Sequence, residues 1–259
     1  MLNILMLGDI VGSVGKRALF YNLNSLKKEY NIDLTIANGE NADGGFGITV
    51  EIANELFAMG IDVITSGNHI WQREEILPFL DSNPNILRPF NYPSPAPGKG
   101  YTIVNVKGQK VAVLNLQGRV RMVHMIDCPF KTGMVALKKL KQETNFIFID
   151  LHAEDTEERE ALALHFDGLA TAVCGTHTHV QTADETILPL GTAHIGDLGM
   201  CGAKDSVIGS RVDISIERAL SQMPLKTEAA EGEAIICGAV ITTGDDGRAT
   251  GIKRVMVAG

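Results

Sequence analysis

The chain has 259 residues, 45% of them hydrophobic, with 23 Lys and Arg against 31 Asp and Glu, a formal net charge of −8. This composition supplies a large core and excludes disorder, and the acidic balance gives no footprint for gripping long nucleic acid, which needs clustered Lys and Arg. The apolar runs stop far short of the ~18 residues that span a bilayer, so no membrane span is expected.

The opening MLNILMLGDI lacks a basic flank and a cleavage site, so it reads as a first strand and not a signal peptide, and a cytoplasmic location is expected. Apolar runs at 4–7, 34–37, 63–65, 111–116, 146–151, 169–174, 234–241 and 253–257 read as strands. Between the early ones lie helical stripes at 16–30, with Leu19, Leu23, Leu26 and Tyr30, and at 49–59, with Ile52, Leu56 and Met59. A further helix is expected at 158–166. Strand and helix alternate, which favours a mainly parallel sheet with helical crossovers in the first half. Five of the nine prolines fall between Pro84 and Pro97, a stretch read as a surface connection without regular backbone bonding. Near the end, 234–243 and 250–257 flank Gly244-Asp245-Asp246-Gly247, a hairpin signal that adds a mixed or second sheet. The residues that carry chemistry lie on both sides of the proline stretch, so residues 1–259 are read as a single domain.

Cys128, Cys174, Cys201 and Cys237 are scattered without a CxxC pair and read as small buried hydrophobes, not a disulfide framework or thiolate metal site. Five strand-like runs instead end at a metal-ligating side chain, four of them directly after Gly or another small residue. These are LGD at Asp9, ANGEN at Glu40 and Asn41, TSGNH at Asn68 and His69, IDLH at His152, and CGTHTH at His177 and His179. In open α/β sheets ligands bind beyond the carboxyl ends of the strands, so such endings can converge on one crevice. Each has a plainer explanation alone: Asp9 could cap the next helix, Glu40-Asn41 could sit in a polar turn, and Asn68-His69 could be a cap. Five together point to a site of oxygen and nitrogen donors, suited to iron, manganese or zinc. The spacing of His177 and His179 puts both imidazoles on one side only in an extended segment, which places them at a strand end. Gly8, Gly39, Gly67 and Gly175 beside these residues permit tight turns and close backbone approach. His124, His165 and His194 lack this context and read as packing or surface. GDIVGSVGKR fails as a phosphate loop, because Ile10 and Arg17 stand where GxxxxGK[ST] needs Gly and Ser or Thr.

The ordered set GD, GEN, GNH, an isolated His and GTHTH resembles the calcineurin-like metallophosphoesterases, specifically their YmdB-type branch of bacterial phosphodiesterases, over residues 1 to about 209. The DxH histidine of the wider superfamily is absent after Asp9, and its bridging Asp is Glu40; both departures, with Asn41 next to that Glu, match the branch. Gln72, and Ala203-Lys204 before DSVIG, differ from relatives at positions that bear on substrate preference. The resemblance implies a four-layer α/β/β/α sandwich of two mixed sheets. It implies two divalent transition-metal ions, iron or manganese with zinc as the alternative, one held by Asp9, Glu40, Asn41 and His179 and the other by Glu40, Asn68, His152 and His177. The implied reaction is hydrolysis of small phosphodiesters, foremost 2′,3′-cyclic nucleoside monophosphates and then 3′,5′-cyclic AMP. On the same resemblance, a hydroxide shared by the ions would attack phosphorus and His69 would protonate the leaving oxygen. A homo-oligomer is implied as well.

Two other readings stay open. An amidohydrolase-type metal hydrolase also uses HxH, though typically after its first strand. A regulatory, RNA-associated scaffold with secondary catalysis would draw on Gly118-Arg119-Val120-Arg121; Arg119 and Arg121 are equally candidates for binding a substrate phosphate or for structural ion pairs.

Overall fold

A computed structural model describes residues 1–123 and 125–259, so His124 lies outside the described residues. Strands β1 (Asn3–Ile10), β2 (Leu34–Asn38), β3 (Val63–Thr65), β10 (Met200–Ala203), β11 (Ala234–Thr243) and β12 (Ala249–Ala258) form one six-stranded sheet in the order β12-β11-β10-β1-β2-β3. Strands β4 (Tyr101–Val106), β5 (Gln109–Gln117), β6 (Phe146–His152), β7 (Ala172–Thr176), β8 (Thr186–Ile187) and β9 (Ala193–Ile195) form a second, in the order β4-β5-β6-β7-β9-β8. Both sheets are mixed. The strands β1, β2 and β3 are parallel, as are β5, β6, β7 and β9, whereas β11, β12, β4 and β8 run against their neighbours.

Successive strand residues face opposite sides, and here both sides are buried. In β1, Ile4 and Met6 turn toward the other sheet, into a core shared with Ile36, Val113, Phe148 and Ile241. Leu5 and Leu7 turn outward and pack on helix α1 (Gly12–Glu29) through Leu19 and Leu23. Burial of each such Leu contributes about 1.5–3 kcal/mol. Helices α2 (Val50–Ala58) and α3 (Ile76–Ser82) extend the same outer layer with Leu56 and Leu80. On the far side α4 (Pro129–Leu140) and α5 (Thr156–His165) cover the second sheet, Leu137 and Leu162 meeting Leu114 and Ile149. The layers are therefore α/β/β/α, as expected. Thr49 and Asp155 cap α2 and α5, while α1 starts behind Val11 with no side-chain cap, so Asp9 does not serve there.

The proline stretch departs from the surface connection expected. Residues 93–95 are exposed, but 86–89 and 91 are buried. Ile64 N donates to Asn85 O and Leu87 N to Ile64 O, both at 2.8 Å, and Phe90 N donates to Asn115 O at 2.8 Å. The stretch thus runs beside β3 and crosses to β5, joining the two sheets. Proline withdraws only its own N–H, and Ile86 and Leu87 keep theirs. The hairpin of β11 and β12 forms as expected, whereas α3, α4, α6 (Val212–Ser221), β4, β8, β9 and β10 were not anticipated. All four cysteines are free, three of them buried. Among the described residues no helix is long and apolar enough to cross a membrane.

Candidate metal centre

The parallel strands of both sheets finish at one edge of the molecule, and the seven candidate ligands meet there. Asp9 sits in the last turn of the pleat of β1. Glu40 and Asn41 follow β2, Asn68 and His69 follow β3, His152 ends β6, and His177 and His179 follow β7. Within β6 the alternation that sends Ile147, Ile149 and Leu151 to α4 and α5 sends Asp150 and His152 into the space between the sheets. A Cβ on Gly67 would collide with the His152 ring, so that glycine serves close approach and not a turn.

Two groups of donors share Glu40. In one, His152 Nε2 lies 3.1 Å from Glu40 Oε1, 3.2 Å from Asn68 Oδ1 and 3.0 Å from His177 Nδ1. In the other, Asn41 Nδ2 lies 3.3 Å from Asp9 Oδ1, 3.4 Å from Glu40 Oε1 and 3.2 Å from His179 Nε2, with His179 Nε2 3.7 Å from Asp9 Oδ1. Glu40, His152 and His177 offer ligand atoms that all lie within 4.8 Å of one another. Two nitrogens 3.0 Å apart are compatible only if one carries a proton for the other or a cation lies between them.

Asp9 and Glu40 are fully buried and have no Lys or Arg partner among the described residues. Burial alone would raise the Asp9 carboxyl, but His179, with His152 and the His177 amide, brings it down to about 2. Burial opposes ionisation of Glu40 too, yet His152 and His69 hold it low. Conversely, burial would lower His152 and His179, while Glu40 and Asp9 respectively hold each at about 9. Burial and the neighbouring His152 push His177 down to about 4. Buried carboxylates ringed by imidazoles and amide oxygens are a donor set that fits divalent iron, manganese or zinc. One donor needs adjustment: as placed, Asn41 turns Nδ2 toward Asp9 and Glu40 and Oδ1 toward His69, so its amide must rotate to offer oxygen to a cation.

The His177 and His179 backbone is not extended, contrary to the expectation from their spacing. Their φ angles are 116° and 64°, in the left-handed region that non-glycine residues seldom enter. Buried Asp197 holds this turn: its Oδ2 accepts from Thr178 N at 3.0 Å, from Thr178 Oγ1 at 2.8 Å and from Arg159 Nη1 at 2.9 Å. His177 Nε2 faces Glu154 Oε2 at 3.1 Å, and His179 Nδ1 donates to the Ile208 carbonyl at 2.7 Å. His152 Nδ1 meets the Thr176 hydroxyl at 3.0 Å, which donates onward to Asp150 at 2.7 Å. Burial pushes Asp150 up to about 7. Outer partners of this kind fix the tautomer and aim of metal-binding imidazoles. None carries a local mark in the sequence beyond the two-residue spacing that puts Asp150 on the same face of β6 as His152.

His69 is partly exposed, with Nδ1 2.7 Å from Asn41 Oδ1 and its ring 4.5 Å from that of Phe46. Burial, then His152, lowers its pKa against the pull of Glu40. Gly118 N donates to His152 O at 2.9 Å, so the 118–121 turn starts beside the ligands. Both arginines there are exposed; the Arg119 and Val120 amides donate to Glu158, and Arg121 lies 3.8 Å from Asp155. Neither guanidinium touches a candidate ligand among the described residues. His194 packs in β9 with Nδ1 2.9 Å from Val173 O, and His165 lies between Phe130 and Phe166, as expected of residues outside the site.

Two mixed sheets with helices outside, and polar residues gathered where the parallel strands end, constitute the calcineurin-like phosphoesterase fold. The profile of the YmdB-like protein family matches residues 5–255, and the chain belongs to that family. It is 43% identical over 257 residues to the 2′,3′-cyclic-nucleotide 2′-phosphodiesterase of Bacillus subtilis strain 168, covering 99% of this chain and 97% of the relative. A hypothetical protein of Thermus thermophilus superposes with a TM-score of 0.93 at 35% identity, covering 99% of both chains. A novel phosphatase of Mycoplasma pneumoniae does so with a TM-score of 0.93 at 30% identity, covering 99% of this chain and 93% of that one. Family membership removes the amidohydrolase reading.

Proposed function

We propose that this protein is a phosphodiesterase that hydrolyses small phosphodiesters, 2′,3′-cyclic nucleoside monophosphates first and 3′,5′-cyclic AMP second, with two divalent cations. The observation that carries the proposal is the convergence of seven oxygen and nitrogen donors into two groups that share Glu40. Asp9, Glu40, Asn41 and His179 would hold one cation, and Glu40, Asn68, His152 and His177 the other. When bound, such a pair supplies an activated water and neutralises charge developing on the phosphoryl group.

The protein's own residues do the rest. With the Asn41 amide turned, its Nδ2 donates to His69 Nδ1, which leaves the ring proton on Nε2, away from Asn41 and available to the leaving ribose oxygen. In the net reaction, water forms a new P–O bond, the P–O2′ bond breaks, and the 2′ oxygen takes a proton, leaving a 3′-phosphomonoester. Arg119 and Arg121 lie beyond the end of β5, where a guanidinium can meet a phosphate oxygen. The RNA-scaffold reading has less support, because Glu158 ties this turn to α5 and Arg121 faces Asp155. The single-domain reading draws on the core shared by the two sheets; homo-oligomerisation rests on the resemblance.

Elemental analysis paired with hydrolysis of a phosphodiester panel tests the proposal. Close to two ions per chain and turnover of 2′,3′-cyclic nucleotides are expected. One ion at most under saturating metal would sink the two-cation reading, and a loaded protein inert on every diester would sink the reaction.

A further inference from the structure

A cavity of about 770 Å³ opens beside the metal centre, inside the range of about 300–1,000 Å³ usual for small-molecule sites. Its near wall is the turn after Asn41, from Ala42 to Phe46, and the Phe46 ring, 39% exposed, stands against His69. Its far wall is α6 and the residues behind it, including Arg218, Leu225 and Lys226. Helix α6 buries none of its own residues, so core packing does not explain its position. The hairpin carrying it is fixed at its base, where Ser210 pairs with Ala229 and the Ile208 carbonyl meets His179.

The charges in this cavity are unevenly satisfied. Lys16 pairs with Glu55 at 3.0 Å and Arg73 with Asp43 at 2.5 Å. Glu228 pairs with Arg211 at 2.8 Å, and Glu231 accepts from the Ser13 hydroxyl at 2.9 Å. Arg218 and Lys226 have no side-chain hydrogen bond or ion pair among the described residues. A nucleoside 2′,3′-cyclic phosphate carries one phosphate, the reacting one, and has nothing further to offer these cations.

We infer that the cavity receives the adjoining nucleotide of a longer substrate, the 3′ end of a short oligoribonucleotide that terminates in a 2′,3′-cyclic phosphate. Its internal phosphodiester lies at Arg218 and Lys226 and its adjoining base against Phe46. The inference rests on the proposed phosphodiesterase reading and specifies its substrate class. Cationic side chains bind phosphodiesters in a salt-sensitive way, and an aromatic face stacks on any base. The net charge of −8 limits the contact to a short end and leaves no track for a long strand.

The test compares 2′,3′-cyclic AMP with the dinucleotide ApA ending in a 2′,3′-cyclic phosphate, on the metal-loaded protein. The dinucleotide is expected to show a kcat/KM about tenfold higher, chiefly through KM, with an advantage that shrinks as salt rises. In Arg218→Ala/Lys226→Ala the ratio of the two kcat/KM values should fall to near one, while Lys226→Arg retains the preference. Fluorescence anisotropy of labelled ApA 3′-phosphate, read without turnover, should weaken in the same double variant, and a thermal melt verifies that it is folded. Equal kcat/KM for the two substrates overturns the inference and leaves the proposed reaction standing. A preference that survives the double variant overturns it as well. Hydrolysis of neither substrate removes the reaction and the inference together.

Discussion

At the scale of single residues, His69 and Asn41 form the most informative pair, because one side chain would hold metal and the other would serve the substrate. A proton donor matters in proportion to how poor the leaving group is. His69→Ala is therefore expected to keep its metal and much of its activity on a p-nitrophenyl phosphodiester, yet to lose roughly 10²–10⁴-fold on a cyclic nucleotide. Metal loss, or equal slowing of both substrates, would show that the ring organises the site. Arg119 makes a different demand: a guanidinium that binds phosphate alike in ground and transition states raises KM on removal and spares kcat. If Arg119→Ala lowers the melting temperature with KM unaltered, the residue is structural. The metal-ligand candidates were legible because each lay at a strand end, all but His152 in a segment where a small residue led into the ligating group. Asp197, Glu154 and the Ile208 carbonyl had no such local mark; only the folded chain brings them to His177, Thr178 and His179.

At the scale of elements, the turn behind β7 shows how geometry is imposed from outside. Two histidines in the left-handed region are held there by Asp197, itself paired with buried Arg159. Asp197→Asn would leave the Arg159 charge without its partner, a change that costs about 3–5 kcal/mol for buried pairs. It should also weaken metal affinity by roughly 10–100-fold, the usual effect of losing an outer partner. Calorimetry and metal titration of that variant check both; full affinity would mean that the turn keeps its shape unaided. The same dependence explains which elements the sequence revealed. Long alternating or continuous apolar strands such as β1, β6 and β11 announce themselves, whereas β9 and β10, three and four residues long, exist because neighbours supply their partners. Helix α6 has no buried stripe to read, and the proline stretch hides a buried run between its prolines.

At the scale of the whole molecule, the site links pH, metal and stability. His152 and His179, held at about 9, stabilise the metal-free fold fully below the ordinary imidazole value of about 6.5, and that contribution is lost as pH rises through about 9. His177, held at about 4, acts oppositely, costing stability as pH falls below about 6.5. Asp9, at about 2, contributes above about 3.9, a gain that is lost as pH falls toward about 2. Since cations take imidazoles in their neutral form, loading removes the alkaline loss. The melting-temperature gap between loaded and metal-free protein should therefore widen from about pH 6.5 to about pH 9; a gap that narrows over that window would contradict the coupling.

The division of the ligands between the sheets also bears on the order of events as the chain folds. Asp9 and the His177 amide that it binds are 168 positions apart, and Asp9, Glu40, Asn41 and Asn68 approach from one sheet while His152, His177 and His179 approach from the other. A cation therefore finds its full set of donors only once the sheets have docked, and we infer that this docking follows the folding barrier. Contacts absent from the transition state act on the reverse rate. Metal should slow unfolding in stopped-flow experiments and leave refolding no faster, so that the ions act as a late fastener whose removal shortens the lifetime of the native state without impeding its formation.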